Sequence, residues 1–134
     1  MAALKAEIVA LKLQLNDAKT ERVVFDGTNP NAFQYLGFLV SQDDAGLRSA
    51  SLARQWRKAK RSIRRTETAG VKAREAGTAT KTFTKKLRRR FLPSGVRNFS
   101  SYARRSGEAF GSKRMVRQAM RLERMVEKAI KRMK

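Results

Sequence analysis

An all-α fold is the expectation for this chain: a small helical, oligomeric bundle with heptad-like N- and C-terminal helices and extended basic segments. Three observations predict it. Over residues 112–134 the apolar positions Met115, Ala119, Leu122, Val126, Ala129 and Met133 are spaced 4, 3, 4, 3 and 4, the repeat of one helix face. A shorter run of the same kind opens the chain, at Leu4, Ile8, Leu11, Leu15 and Ala18. Between them, Leu52, Trp56, Ala59 and Ile63 form an apolar stripe inside a block of arginines and lysines.

Charge is segregated along the same line. Four basic and six acidic residues precede Arg48, a net −2, whereas 28 basic and five acidic residues lie from Arg48 onward, a net +23. The total of +21 on 134 residues, with 41 % hydrophobic residues, leaves material for a small core and would strain a tightly folded monomer by self-repulsion. A polyanion or a second chain is therefore expected to complete the structure. Cysteine and histidine are both absent, which excludes disulfides, the common catalytic triads and zinc sites built on those residues. No metal or other cofactor is expected.

Residues 1–22 read as the first helix. Its seam, Leu4, Ile8, Leu11 and Leu15, is the candidate oligomerisation surface, since an isolated helix of this length is marginal in water and must pack on something. Docking on its own chain is the alternative. Residues 23–25, Val-Val-Phe, are a β-favouring run closed by Asp26-Gly27, and Thr28-Asn29-Pro30-Asn31 is turn chemistry that suits a following helix cap. Over 32–42 the apolar residues Phe33, Leu36, Phe38, Leu39 and Val40 fit a buried helix or a strand; helix is favoured, with exit at 43–46, and this stretch is expected to be the core. Asp43 and Asp44 read as a solvated cap for the helix that follows.

Residues 47–66 form that helix, with Leu47 and the stripe from Leu52 inward and cations on most of the remaining circumference. Trp56, on the stripe, reads as a core anchor ahead of a stacking platform for a base. Residues 66–82, small, polar and glycine-containing, read as a flexible joint with at most a helical turn around 71–76. A second cationic block, 85–90, ends in a turn at Phe91-Leu92-Pro93-Ser94-Gly95. In 96–111 Phe99, Tyr102 and Phe110 alternate with Arg97, Arg104 and Arg105, a mixture found both in helices that dock by their aromatics and in binders of single-stranded RNA. Ser112 is placed to cap the last helix, where Glu123 and Glu127 offer i, i+4 pairs to neighbouring cations.

This divides the chain into 1–47, an N-terminal helix plus small core for oligomerisation; 48–66, a basic amphipathic helix; 67–82, a joint; and 83–134, a basic region ending in a long amphipathic helix. Nucleic acid is the expected partner, RNA ahead of DNA, because each phosphate neutralised by Lys or Arg releases a condensed counterion. The candidate contacts are Arg54, Arg57, Lys58, Lys60, Arg61, Arg64, Arg65, Lys85, Lys86, Arg88, Arg89, Arg90, Arg97, Arg104, Arg105, Arg114, Arg117, Arg121 and Arg124. The reading is of a non-enzymatic protein that grips double-stranded or structured RNA by its phosphates, of the kind a virus or phage uses to coat, package or sequester RNA, including as a suppressor of RNA silencing. Two alternatives stand beside it: a structural component of a virion or ribonucleoprotein particle, and an amphipathic protein on anionic membrane. The last is the weakest, since the apolar faces are mostly Ala and Met. No Gly-rich phosphate loop or long apolar span is present, and the composition suits a reducing intracellular compartment or a virion interior.

Overall fold

The computed structural model describes residues 2–20, 22–26, 32–78, 84–93 and 97–133. Its elements, in order, are helix α1 (Ala2–Ala10), a 3-10 turn (Asp17–Lys19), strands β1 (Ala32–Tyr35), β2 (Phe38–Ser41) and β3 (Ala45–Leu47), and helices α2 (Ser49–Glu75), α3 (Lys85–Phe91), α4 (Phe99–Ala109) and α5 (Lys113–Arg132). The fold is mixed α/β: among the described residues, five helices and a three-stranded antiparallel sheet in the order β1-β2-β3 correct the all-α expectation. The turn read at 28–31, the residues 79–82 of the joint and Ser94-Gly95 lie outside the described residues.

The sheet arises from the stretch expected to be a helix. Tyr35 pairs with Phe38, and the two residues between them, Leu36 and Gly37, hold φ of 45° and 93°. Positive φ at both central positions is the geometry whose twist matches a tight hairpin, and it converts the apolar run into two paired strands instead of helical turns. Leu47 belongs to β3, opposite Phe38, and not to the helix after it. Asp44 closes the β2–β3 turn, its carbonyl accepting from the Ser41 N–H and hydroxyl and its carboxylate from the Ala45 N–H at 2.8 Å. The acidic pair therefore caps no part of α2, whose N-cap is Arg48 without a side-chain bond.

Helix α1 ends at Ala10, well short of residue 22. Lys12 adopts φ of 55°, and the Lys12 and Leu13 N–H groups return to the Val9 and Ile8 carbonyls at 2.9 and 3.0 Å, the closing bonds of a helix stop that ordinarily uses glycine. Leu11 and Leu15 thus lie past the helix, and the four seam residues do not share one helical face. Helix α2, conversely, runs to Glu75 through residues read as a joint. Thr66 and Thr68 satisfy their hydroxyls on the carbonyls of Ser62 and Arg64, Gly70 is buried, and the actual stop is Gly77 at φ 63°, with the Thr78 N–H on the Ala73 carbonyl.

The core lies C-terminal to where it was expected, and α5 runs through all of it. Every seam residue of α5 named above is buried, as the spacing requires: Met115, Ala119, Leu122 and Val126 at 0 %, Ala129 at 1 % and Met133 at 8 % exposure. Its second half packs with Ala59 and Ile63 of α2, Leu87 and Phe91 of α3, and Leu92, with Trp56 at the margin as an anchor. Its first half packs with Phe38, Ala45 and Leu47 of the sheet and Ala103 of α4, with Leu52 alongside; Phe99 touches both groups. Helices α4 and α5 form a tight hairpin. Gly111 at φ 63° turns the corner, the Ser112 hydroxyl donates to the Ala45 carbonyl and accepts from Met115 N–H, and a Cβ on Gly107 would stand 2.8 Å from Val116 Cγ2. Asn98 locks the start of α4: its Oδ1 accepts from Ser101 N–H at 2.9 Å while its Nδ2 donates to the Leu92 carbonyl at 2.7 Å, tying α4 to the end of α3.

Candidate nucleic-acid interface

The interface follows from the burial just described, because a helix with one face in the core must send its charges outward. On α5 the exposed cations Arg114, Arg117, Arg121, Arg124, Lys128 and Lys131 are spaced 3, 4, 3, 4 and 3, a stripe that mirrors the buried seam on the other face. It is about 25 Å long at 1.5 Å per residue. On α2, Arg54, Arg57, Lys58, Arg61, Arg64, Arg65 and Lys72 lie on the face away from Ala59 and Ile63, all exposed, with Lys60 at its edge. On α3, Leu87 and Phe91 point inward and Lys85, Lys86, Arg88, Arg89 and Arg90 remain in solvent.

Helices α2 and α5 run parallel. Near their N-terminal ends the Leu47 N–H, just before α2, donates to Gln118 Oε1 of α5 at 2.9 Å, and near the far end Arg132 of α5 meets Glu67 of α2 at 3.8 Å. That ion pair also fixes which flanks face each other. Lys60 and Arg64, seven and three residues before Glu67, share its flank of α2; Arg121 and Lys128, eleven and four residues before Arg132, share its flank of α5. Lys60 and Arg64 of α2 and the α5 stripe therefore border one groove. Helix α3 sits on the opposite flank of α2, where Ser62, Arg65, Thr66, Lys86, Leu87 and Arg90 line a groove of about 160 Å³. Helix α4 covers the far flank of α5.

At the N-terminal end of the α5 stripe, a pocket of about 640 Å³ is lined by Asp43, Asp44, Lys113, Arg114, Arg117 and Arg121, among others. Gly46 lets the Arg114 side chain lie against β3; a Cβ there would stand 3.1 Å from its Nε. The neighbouring Ser112 hydroxyl holds the Asp44 carboxyl below its ordinary value against the opposing effect of burial, with the Ala45 N–H and the Arg114 and Arg117 guanidinium groups adding to the pull. The acidic turn is thus a fixed counter-charge at one end of a cationic track.

Among the described residues, Arg104 is the one predicted contact bound up in an ion pair. Its Nε donates to Glu123 Oε1 at 3.0 Å and its second nitrogen to Oε2, a fork of the kind guanidinium makes with carboxylate. Glu123 is 5 % exposed. Burial pushes its carboxyl up, but the Arg104 bonds, with a weaker pull from the buried Ser100 hydroxyl, which makes no bond of full geometry, leave it below its ordinary value. Arg104 is correspondingly raised, first by its bond to Glu123. Arg104 therefore holds α4 to α5, and Glu123 is not one of the surface i, i+4 partners expected of it. The signal was present in the sequence: Ala119, Glu123, Val126 and Ile130 share a helix flank. Arg97, just before α4, and Arg105, on it, are exposed.

Among the described residues no cluster of acidic residues could hold a metal ion, and no helix is long and apolar enough to cross a membrane. The chain matches no known protein-family model and no curated protein, so its chemistry is read from its own residues alone.

Proposed function

We propose that this chain is a non-enzymatic nucleic-acid-binding protein that holds RNA, double-stranded or structured, by its phosphates. The observation that carries the reading is the α5 stripe beside Lys60 and Arg64 of α2, bordering one groove, with the remaining α2 cations exposed next to it. Among the described residues the guanidinium groups at these positions make no direct ion pair, Arg114 and Arg117 acting on the Asp44 carboxylate only at one end of the track; they project from helices whose other faces are buried, and repeat every turn. Such an array neutralises successive phosphates without reading base edges. Self-association through Leu4, Ile8, Leu11 and Leu15, as an apolar patch and not a single helical seam, belongs to the same proposal and would multiply sites by avidity.

The test is binding of labelled duplex RNA across a salt series. Six phosphate contacts correspond to a loss of about 10³-fold in affinity between 50 and 200 mM salt. Alanine at Arg117, Arg121 and Arg124 together, or at Arg57, Arg61 and Arg64, weakens binding to all sequences alike and flattens the salt dependence. Absent or salt-insensitive binding overturns the proposal.

A further inference from the structure

The cationic groove leaves an exposed aromatic pair unused. Phe38 of β2 is buried at 8 % exposure, and two rings of the α4 region cover it without being covered themselves: Tyr102 at 44 % and Phe110 at 48 %. Tyr102 stacks on Phe38 with centroids 5.8 Å apart and 27° between planes; Phe110 leans on it at 5.2 Å and 51°. Phe99, the third aromatic of this segment, turns inward and packs on both halves of the core. Docking therefore accounts for Phe99 and for one face of Tyr102, and leaves the other ring surfaces in solvent. Two exposed arginines lie on the adjoining backbone. Arg105 stands one turn beyond Tyr102, with its Nε on the Ser101 carbonyl at 3.3 Å, and Arg48 is held beside the hairpin tip by its N–H on the Gly37 carbonyl at 3.0 Å. Both arginines are exposed.

We infer that Tyr102 and Phe110 form a stacking shelf for an unpaired nucleobase, with Arg105 and Arg48 taking the phosphates on either side. Aromatic faces bind any base without regard to sequence, and flanking cations select a nucleotide over an apolar peptide. The shelf rests on the nucleic-acid reading above and refines it: the groove holds phosphates, while the shelf takes a base from a loop, bulge or free end. The rings are prearranged by Phe38, so binding orders little.

The experiment compares a fluorescent single-stranded RNA oligonucleotide, the same oligonucleotide with abasic positions, and a blunt duplex, against wild type, Tyr102→Leu, Phe110→Leu and Tyr102→Phe. Leucine keeps the apolar cover over Phe38 and removes the ring face, and thermal melts confirm that each variant is folded. Tyr102→Leu is expected to weaken the single strand about 5- to 150-fold, to leave the duplex within about twofold, and to be insensitive to the abasic change; Tyr102→Phe matches wild type. Equal losses on duplex and single strand, or no loss on either, overturn the shelf while leaving the groove intact. A wild-type protein that binds neither RNA overturns the groove reading and the shelf with it. A folded Tyr102→Leu protein with unchanged RNA binding would assign the rings to a protein partner instead.

Discussion

The two ends of the chain carry the same apolar spacing and come to opposite fates. Helix α5 turns its spacing into a seam of 20 helical residues with Met115, Ala119, Leu122 and Val126 wholly enclosed. Helix α1 stops after nine residues and leaves Leu4 at 53 % and, just beyond it, Leu11 at 67 % exposure. Helical periodicity states which side chains could share a face. A neighbour decides whether the face is used, and α5 has α2, α3, α4 and β3 against it, so its seam is stabilised by burial that α1 within one chain does not receive.

The largest expected effect tests that contrast directly. Leu122→Ala removes a fully enclosed side chain and should cost about 2–5 kcal/mol in denaturant unfolding, whereas Leu11→Ala should stay within about 0.5 kcal/mol for the isolated monomer. Destabilisation by Leu11→Ala that grows with protein concentration would instead show α1 covered by a second copy. Next comes the α4–α5 crossing: Gly107→Ala places a Cβ against Val116 and should cost about 1–3 kcal/mol by forcing the hairpin apart, read as a lowered melting temperature. Arg104→Ala, which strands the buried Glu123 carboxylate, should cost about 1–3 kcal/mol at neutral pH. The sign with pH is fixed by the lowered Glu123 value: the pair's contribution is complete above its ordinary value of 4.5 and is lost as pH falls through the lower folded value. Melts of wild type and Glu123→Gln should therefore converge on acidification below about pH 4.5. The smallest effect concerns the stop of α1. Lys12→Gly relieves the left-handed conformation and should stabilise by about 1 kcal/mol; a loss of helicity by circular dichroism would mean that the helix runs on past Ala10 in solution.

What could be read beforehand follows from how local each determinant is. The α5 seam and its Ser112 cap were legible because both lie within one uninterrupted helix. The hairpin was not, since Phe33 to Val40 suits either period and the deciding feature is a turn with non-glycine Leu36 at positive φ. The length of α2 was hidden by threonines and Gly70, which resemble breakers until their hydroxyls and close packing are seen. Cations were recognisable by type but not by grouping: Arg104 and Arg105, adjacent in sequence and about 100° apart around the helix, separate into a buried-pair partner and a solvent-facing charge. The acids Asp43 and Asp44 read as a helix cap, and they do sit near a helix start, that of α5, which only the fold brings to them.

The parallel course of α2 and α5 has a topological consequence. Antiparallel neighbours can be joined by a short turn, but parallel ones need a return path as long as themselves. Here α3 and α4 are that path, α3 packing beside α2 and α4 beside α5. The detour covers the outer flank of each helix and leaves the groove between them bare, so the asymmetry of this polycation is set by the route of its connecting chain.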